Sequence, residues 1–190
     1  VVYCRLSDDP GAKGIGAVFV EKDAPGISFG QQESLMGFRG VPSCDIFLDD
    51  TEVPLENIIV PAGGFKKLME AFDLERCGNA TMALGQASGA LEDVMAYVQD
   101  RKQFGKPIVD FQAVQIRLAE MQMRVEAARL LIYRAASNAE DNLPSILDSS
   151  VAKCFANEIA REVTSNAVQM MGAYGYSKDF NMERRMRDSW

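Results

Sequence analysis

The sequence predicts a mixed fold, a partial β domain followed by an all-α antiparallel four-helix bundle. Three observations lead there. Residues 1–60 carry short β-branched apolar runs cut by Pro-Gly turn chemistry. From about residue 64 the apolar residues recur every three or four positions instead of every two. The helical stretches are long and their connections short, which makes sequence neighbours run antiparallel. The division falls at 62/63, with a β region over 1–62 and a helical domain over 63–190.

The opening "VVYCRL" has no turn or cap before it and reads as a chain starting in mid-strand, as a fragment would. "GIGAVFVEK" (14–22) is a strand between the turn segments "DDPGAKG" and "DAPG". "CDIFLDDTEVP" (44–54) sets Ile46 and Leu48 against Asp45 and Asp49, with Phe47 on the other face, as in a strand exposed on one side. The first helix starts near Gly64 and is expected to run to Gly105, with Pro107 blocking continuation. The second, about 111–139, places Val114, Leu118, Met121, Val125, Ala128 and Ile132 at alternating steps of four and three, the seam of a packed bundle. The third starts near Pro144, carries Val151, Phe155, Ile159, Val163 and Ala167 on one face, and ends at Gly172. "NMERRMRDSW" begins a fourth. There is no internal repeat and no low-complexity tract.

Composition narrows the function classes. The chain has 190 residues, 47% apolar and 25% charged, enough for a real core. A net charge of −7 without a basic stretch argues against nucleic acid as a partner. No apolar run is long enough to span a bilayer, and no secretory signal opens the chain. Cys4, Cys44, Cys77 and Cys154 form no CxxC and read as buried small hydrophobes in a reducing compartment, with no metal expected. There is no histidine. That removes Ser-His and Cys-His nucleophile pairs, so proton transfer has to use a carboxylate, Lys, Tyr, Cys or a cofactor.

Three clusters carry candidate chemistry. "RKQFGKPIVDFQ" (101–112) puts Arg101, Lys102 and Lys106 at a helix end, where they complement the helix dipole or grip a phosphate; Phe104 is by default core. "QMMGAYGY" (169–176) holds glycines that cap a helix or let backbone approach a ligand. It is no dinucleotide fingerprint, because no strand precedes it. The pair Gly14 and Gly16 reads as turn and strand geometry. "DLERCGNA" (73–80) contains Glu75, which on spacing alone is a solvated helix carboxylate beside Arg76.

In this order and at these separations the clusters resemble the acyl-CoA dehydrogenase family. "LMGFRGVPSCDIFLDDTEVPLENII" (35–59) is similar to the stretch closing that family's central β domain. "RKQFGKPIVDFQAVQIRLAEM" (101–121) and "AVQMMGAYGYSKDFNMERRMRD" (167–188) are similar to its two C-terminal signatures. The resemblance implies that 1–62 is the C-terminal part of the middle β domain and 63–190 the bundle, cut short at its end. It implies FAD as cofactor, acyl-CoA as substrate, electron-transfer flavoprotein as partner and a homotetramer built as a dimer of dimers. It also implies a missing N-terminal helical domain and an end just short of the segment where many members carry a catalytic Glu.

Roles follow by position. Arg101 matches the arginine binding the FAD pyrophosphate of a neighbouring subunit; Phe104 and Gln112 match flavin-site positions. Gln169, Met170, Met171 and Gly172 match the loop on the adenosine-diphosphate half, where Ala173 replaces a second family glycine and leaves less room. Asp73, Leu74 and Arg76 match the helix stretch lining the acyl-CoA channel. Glu75 matches the base position of the minority branches, isovaleryl-CoA and long-chain enzymes among them. The implied chemistry is removal of the α proton by Glu75 with hydride transfer from the β carbon to flavin. A closed apolar pocket makes any carboxylate a better base.

The "DLERCGNATMALGQASGA" helix resembles those of bacterial enzymes for branched or cyclic acyl-CoAs, benzylsuccinyl-CoA included. Bacterial cytoplasm is the expected location, or mitochondrial matrix in a eukaryote. The alternatives are a lyase or desulfinase of the same fold lacking the base, and a non-catalytic helical assembly fragment. The 190-residue piece alone is expected to be inactive.

Overall fold

The computed structural model describes residues 1–141 and 143–190. The chain forms two compact units, Val1–Leu35 with Arg39–Phe72, and Met36–Phe38 with Asp73–Trp190.

The first unit holds the sheets. β1 (Val2–Arg5), β2 (Ile15–Val18) and β5 (Ile58–Val60) form an antiparallel sheet in the order β1-β2-β5. The glycines before and within β2 are required by close approach. A Cβ on Gly14 would lie 2.6 Å from Asp9 O, and one on Gly16 would lie 2.3 Å from Val60 O. Ala17 and Val18 are buried, as is Leu68 in the first turn of the long helix that follows. β3 (Ile27–Phe29) pairs only with β4 (Ile46–Leu48). β4 differs from the expected strand with one covered face: Ile46, Phe47 and Leu48 are all exposed, because a two-stranded ribbon has no covered face to receive the alternating side chains.

The second unit is helical, and the fold is mixed and mostly α, as expected. α1 (Phe65–Asp100) enters this unit at Asp73. It ends at Asp100, short of the expected Gly105. Residues 102–107 instead form a hairpin of β6 (Lys102–Gln103) and β7 (Lys106–Pro107). Phe104 (φ 54°) and Gly105 (φ 82°) are its two central residues. Positive φ at both is the geometry that matches strand twist in a two-residue turn.

α2 (Gln112–Ser137) and α3 (Ile146–Met171) pack antiparallel. The order of their polar pairs shows it: Arg117 donates to Asn166 Oδ1 (2.7 Å), Arg124 pairs with Glu162, and Arg134 pairs with Asp148 (3.0 Å). α1 runs parallel to α3, since Asn79 meets Asn157 and the Tyr97 hydroxyl donates to Met171 O (3.3 Å). Ser145 caps α3, accepting from Asp148 N at 3.0 Å. α4 (Ala173–Tyr176) is one turn, and α5 (Met182–Asp188) is the short fourth member, with Met182 buried.

The core of this unit is Leu84, Leu91, Val94 and Val98 of α1, the expected seam of α2 from Leu118 to Ile132, and one face of α3. Each fully buried Val, Leu or Met contributes about 1.5–3 kcal/mol. The α3 face differs from expectation. Val151 is exposed and Phe155 only half-buried, while Ser149, Ala152, Ala156, Ala160 and Thr164 are buried beside the predicted Ile159, Val163 and Ala167. Small side chains let α3 lie close to its neighbours, so the largest residues are not the most buried. The cysteines are free, with Cys44 and Cys154 exposed and Cys4 and Cys77 half-buried, which corrects the expectation that all four are core residues. No helix among the described residues is long and apolar enough to cross a membrane.

Candidate functional site

The start of the bundle part of α1 separates two neighbouring acids. Asp73 is 7% exposed, and its Oδ1 accepts from Arg76 one turn on and from the Ser149 hydroxyl of α3 at 3.2 Å. That hydroxyl is fully buried and shares its proton with Ile146 O, also at 3.2 Å. Burying a carboxylate is tolerable only with such partners. Glu75 lies on the exposed side of the same turn with Leu74. Among the described residues Glu75 has no hydrogen bond and no ion pair. Cys77 lies near this cluster. Desolvation, then the charges of Asp73 and Asp148, push its thiol above the ordinary value, so it stays protonated and inert at neutral pH.

Ser149 was not legible as a site residue, although a signal for it exists. It occupies a core position of α3, three residues before Ala152 and seven before Ala156. A hydroxyl in a core seam announces a buried polar partner.

The other two clusters meet around α2 and the end of α3. Phe104, at the hairpin tip, is 92% exposed and stands edge-on to Phe111 at 6.1 Å. With Ile108, Val114, Gln169 and Met170 these rings line a largely apolar groove of about 440 Å³ whose rim includes Arg117. Two signatures far apart in sequence thus share one surface. Arg101 packs its guanidinium 5.6 Å over the Tyr174 ring, and among the described residues no carboxylate pairs with it. Gln112 and Ala173 are exposed, and Gly172 (φ 59°) ends α3. The Met171 side chain sits in the core rather than on the groove. A groove walled by aromatic and apolar side chains, with Arg117 as its cation, fits a group that joins an anionic part to a flat ring system. FAD is such a group.

A family model for the acyl-CoA dehydrogenase C-terminal domain matches residues 62–189. The chain is 45% identical over 190 residues to a probable acyl-CoA dehydrogenase, FadE25, of Mycobacterium leprae, covering 99% of this chain and 49% of that protein. It is 44% identical to a cyclohex-1-ene-1-carbonyl-CoA dehydrogenase of Geobacter metallireducens, covering 100% of this chain and 50% of that one. It is 40% identical to the CarC subunit of the caffeyl-CoA reductase–Etf complex of Acetobacterium woodii, covering 99% and 50%. The solved butyryl-CoA dehydrogenase of Megasphaera elsdenii superposes with a TM-score of 0.93 at 38% identity, over 98% of this chain and 49% of that one. The chain belongs to the acyl-CoA dehydrogenase family. It spans about half the length of the curated relatives it matches.

Proposed function

We propose that the whole protein carries out FAD-dependent α,β-dehydrogenation of an acyl-CoA thioester, with Glu75 as the base. The contrast between the two acids of α1 carries this reading. Asp73 is committed to Arg76 and Ser149, whereas the Glu75 carboxylate keeps its lone pairs free. A general base needs that freedom together with access to the substrate. Asp73 holds Arg76 in place, so a cation sits at a defined position one residue from the base and orients the thioester beside it. Leu74 offers apolar contact to the acyl-CoA.

Arg101 would hold the FAD pyrophosphate contributed by a neighbouring subunit, with Phe104, Gln112, Gln169, Met170, Gly172 and Ala173 around the cofactor; Met171, its side chain in the core, could take part only through its backbone. FAD, when bound, supplies the hydride acceptor. Electrons pass on to electron-transfer flavoprotein, and a relative named as part of an Etf complex supports that partner. The assembly is a homotetramer. The acyl group is branched or cyclic, which the name of the Geobacter relative supports. The 190-residue chain alone oxidises no acyl-CoA, because half of the relatives' length lies outside it.

The test is anaerobic titration of the full-length, FAD-loaded protein with saturated acyl-CoAs. Bleaching of the flavin with formation of the α,β-unsaturated thioester is expected. Release of another leaving group without bleaching would assign the protein to lyase or desulfinase chemistry instead.

A further inference from the structure

The face of α1 that carries Glu75 continues into a cleft lined by amides. Glu75, Asn79, Met82 and Gln86 follow one another at steps of four, three and four, which keeps them on one stripe of the helix. Asn79 lies about 6 Å along the axis from Glu75. The cleft, of about 230 Å³, is lined from α1 by Asn79, Met82 and Gln86, from α3 by Asn157, and by Phe38 and Trp190.

The hydrogen bonding decides what this cleft offers. Asn157 Nδ2 donates to Lys153 O and to Asn79 Oδ1, both at 2.9 Å. A carbonyl only accepts, so Lys153 O identifies the nitrogen of Asn157, and that in turn identifies the oxygen of Asn79. Asn79 therefore has its acceptor engaged and its two N–H donors unengaged among the described residues. The Gln86 amide likewise has no partner there. A plain alkyl chain laid over these donors would strip their water and return nothing, whereas an acceptor oxygen would restore the bonds.

We propose that Asn79 is a specificity-determining residue, and that the substrate's acyl group carries a hydrogen-bond acceptor oxygen at the γ carbon or beyond. The proposal rests on Glu75 marking the reacting carbon and deepens that reading by naming the substrate class. Asp188, also on the cleft, is engaged by Phe38 N at 2.7 Å, and its charge favours a neutral carbonyl over a carboxylate.

The test compares pentanoyl-CoA, 4-oxopentanoyl-CoA and glutaryl-CoA on the full-length holoenzyme, by kcat/KM for flavin reduction and by calorimetric Kd. The expected result is a preference of roughly tenfold or more for an oxygen-bearing chain over pentanoyl-CoA, about the worth of one hydrogen bond. Asn79→Leu, similar in shape but without donors, removes that preference. Asn79→Asp, which presents only acceptors, removes it too and answers the question if the leucine variant does not fold. Equal kcat/KM values in the wild type, or a preference surviving both substitutions, overturn the proposal while leaving the dehydrogenase standing. Failure of all three thioesters to bleach a flavin that a branched or cyclic acyl-CoA does bleach overturns the proposal and leaves the dehydrogenase standing, whereas a flavin that no acyl-CoA bleaches overturns both.

Discussion

Glu75 and Asp73 are two residues apart, yet their environments differ completely. Asp73 turns toward α3 and is buried against Ser149; Glu75 faces out. Ser149→Ala removes one donor from a buried carboxylate that keeps Arg76, and should lower unfolding free energy by about 1 kcal/mol in urea denaturation. Cys77 gives a pH-dependent outcome. Its folded-state pKa is raised above the ordinary value of 9.0, so the unfolded chain loses this proton first. Its contribution to stability is therefore full below 9.0 and is lost as pH rises from there through the raised folded-state value. At pH 8.5 iodoacetamide should label Cys77 more slowly than exposed Cys154, read by peptide mass spectrometry. At this scale the sequence spoke unevenly. Resemblance alone drew attention to Glu75, which spacing made a solvated carboxylate, while charge and resemblance together drew it to Arg101. The partners Ser149 and Asn157 stayed hidden because they depend on which residues of α3 face α1, and small side chains rather than the largest apolar ones settle that.

The elements were legible wherever periodicity was long. The helices centred on α1, α2 and α3 and the capping glycine at Gly172 lie close to their expected bounds. The end of α1 was misread because "RKQF" has helix-compatible composition, while the turn at Phe104 and Gly105 is set by backbone dihedrals that composition does not report. The segment Met36–Phe38 was not legible as part of the helical unit. Arg187 donates to Met36 O at 2.7 Å, and Asp188 accepts from Phe38 N. Gly37 allows this contact: a Cβ there would lie 2.2 Å from Arg187 O. Gly37→Ala should cost about 1–3 kcal/mol, because the obstruction is backbone and cannot step aside. Gly78→Ala is the opposite case. Gly78 lies inside α1, and a methyl group added there would meet nothing within 4 Å. The substitution should stabilise by about 0.5–1 kcal/mol in the same denaturation assay.

For the whole molecule, composition excluded classes and the order of three motifs indicated the family; neither could supply the acyl group. One outer stripe of α2 carries exposed Ile116, Met123 and Leu130 at intervals of seven residues, an unusual exposure for a helix with a covered seam opposite. Under the tetramer proposal this stripe is covered in the assembly, and Met123→Glu combined with Leu130→Glu should lower the mass of the full-length protein in light scattering. The role of Glu75 as base is tested most directly by Glu75→Gln in the full-length protein, following flavin bleaching at saturating acyl-CoA. Glutamine keeps the size of the side chain but takes no proton. A fall of about 10²–10⁴-fold with FAD still bound is the expected result; bleaching at the wild-type rate would contradict it and place the base elsewhere in the protein.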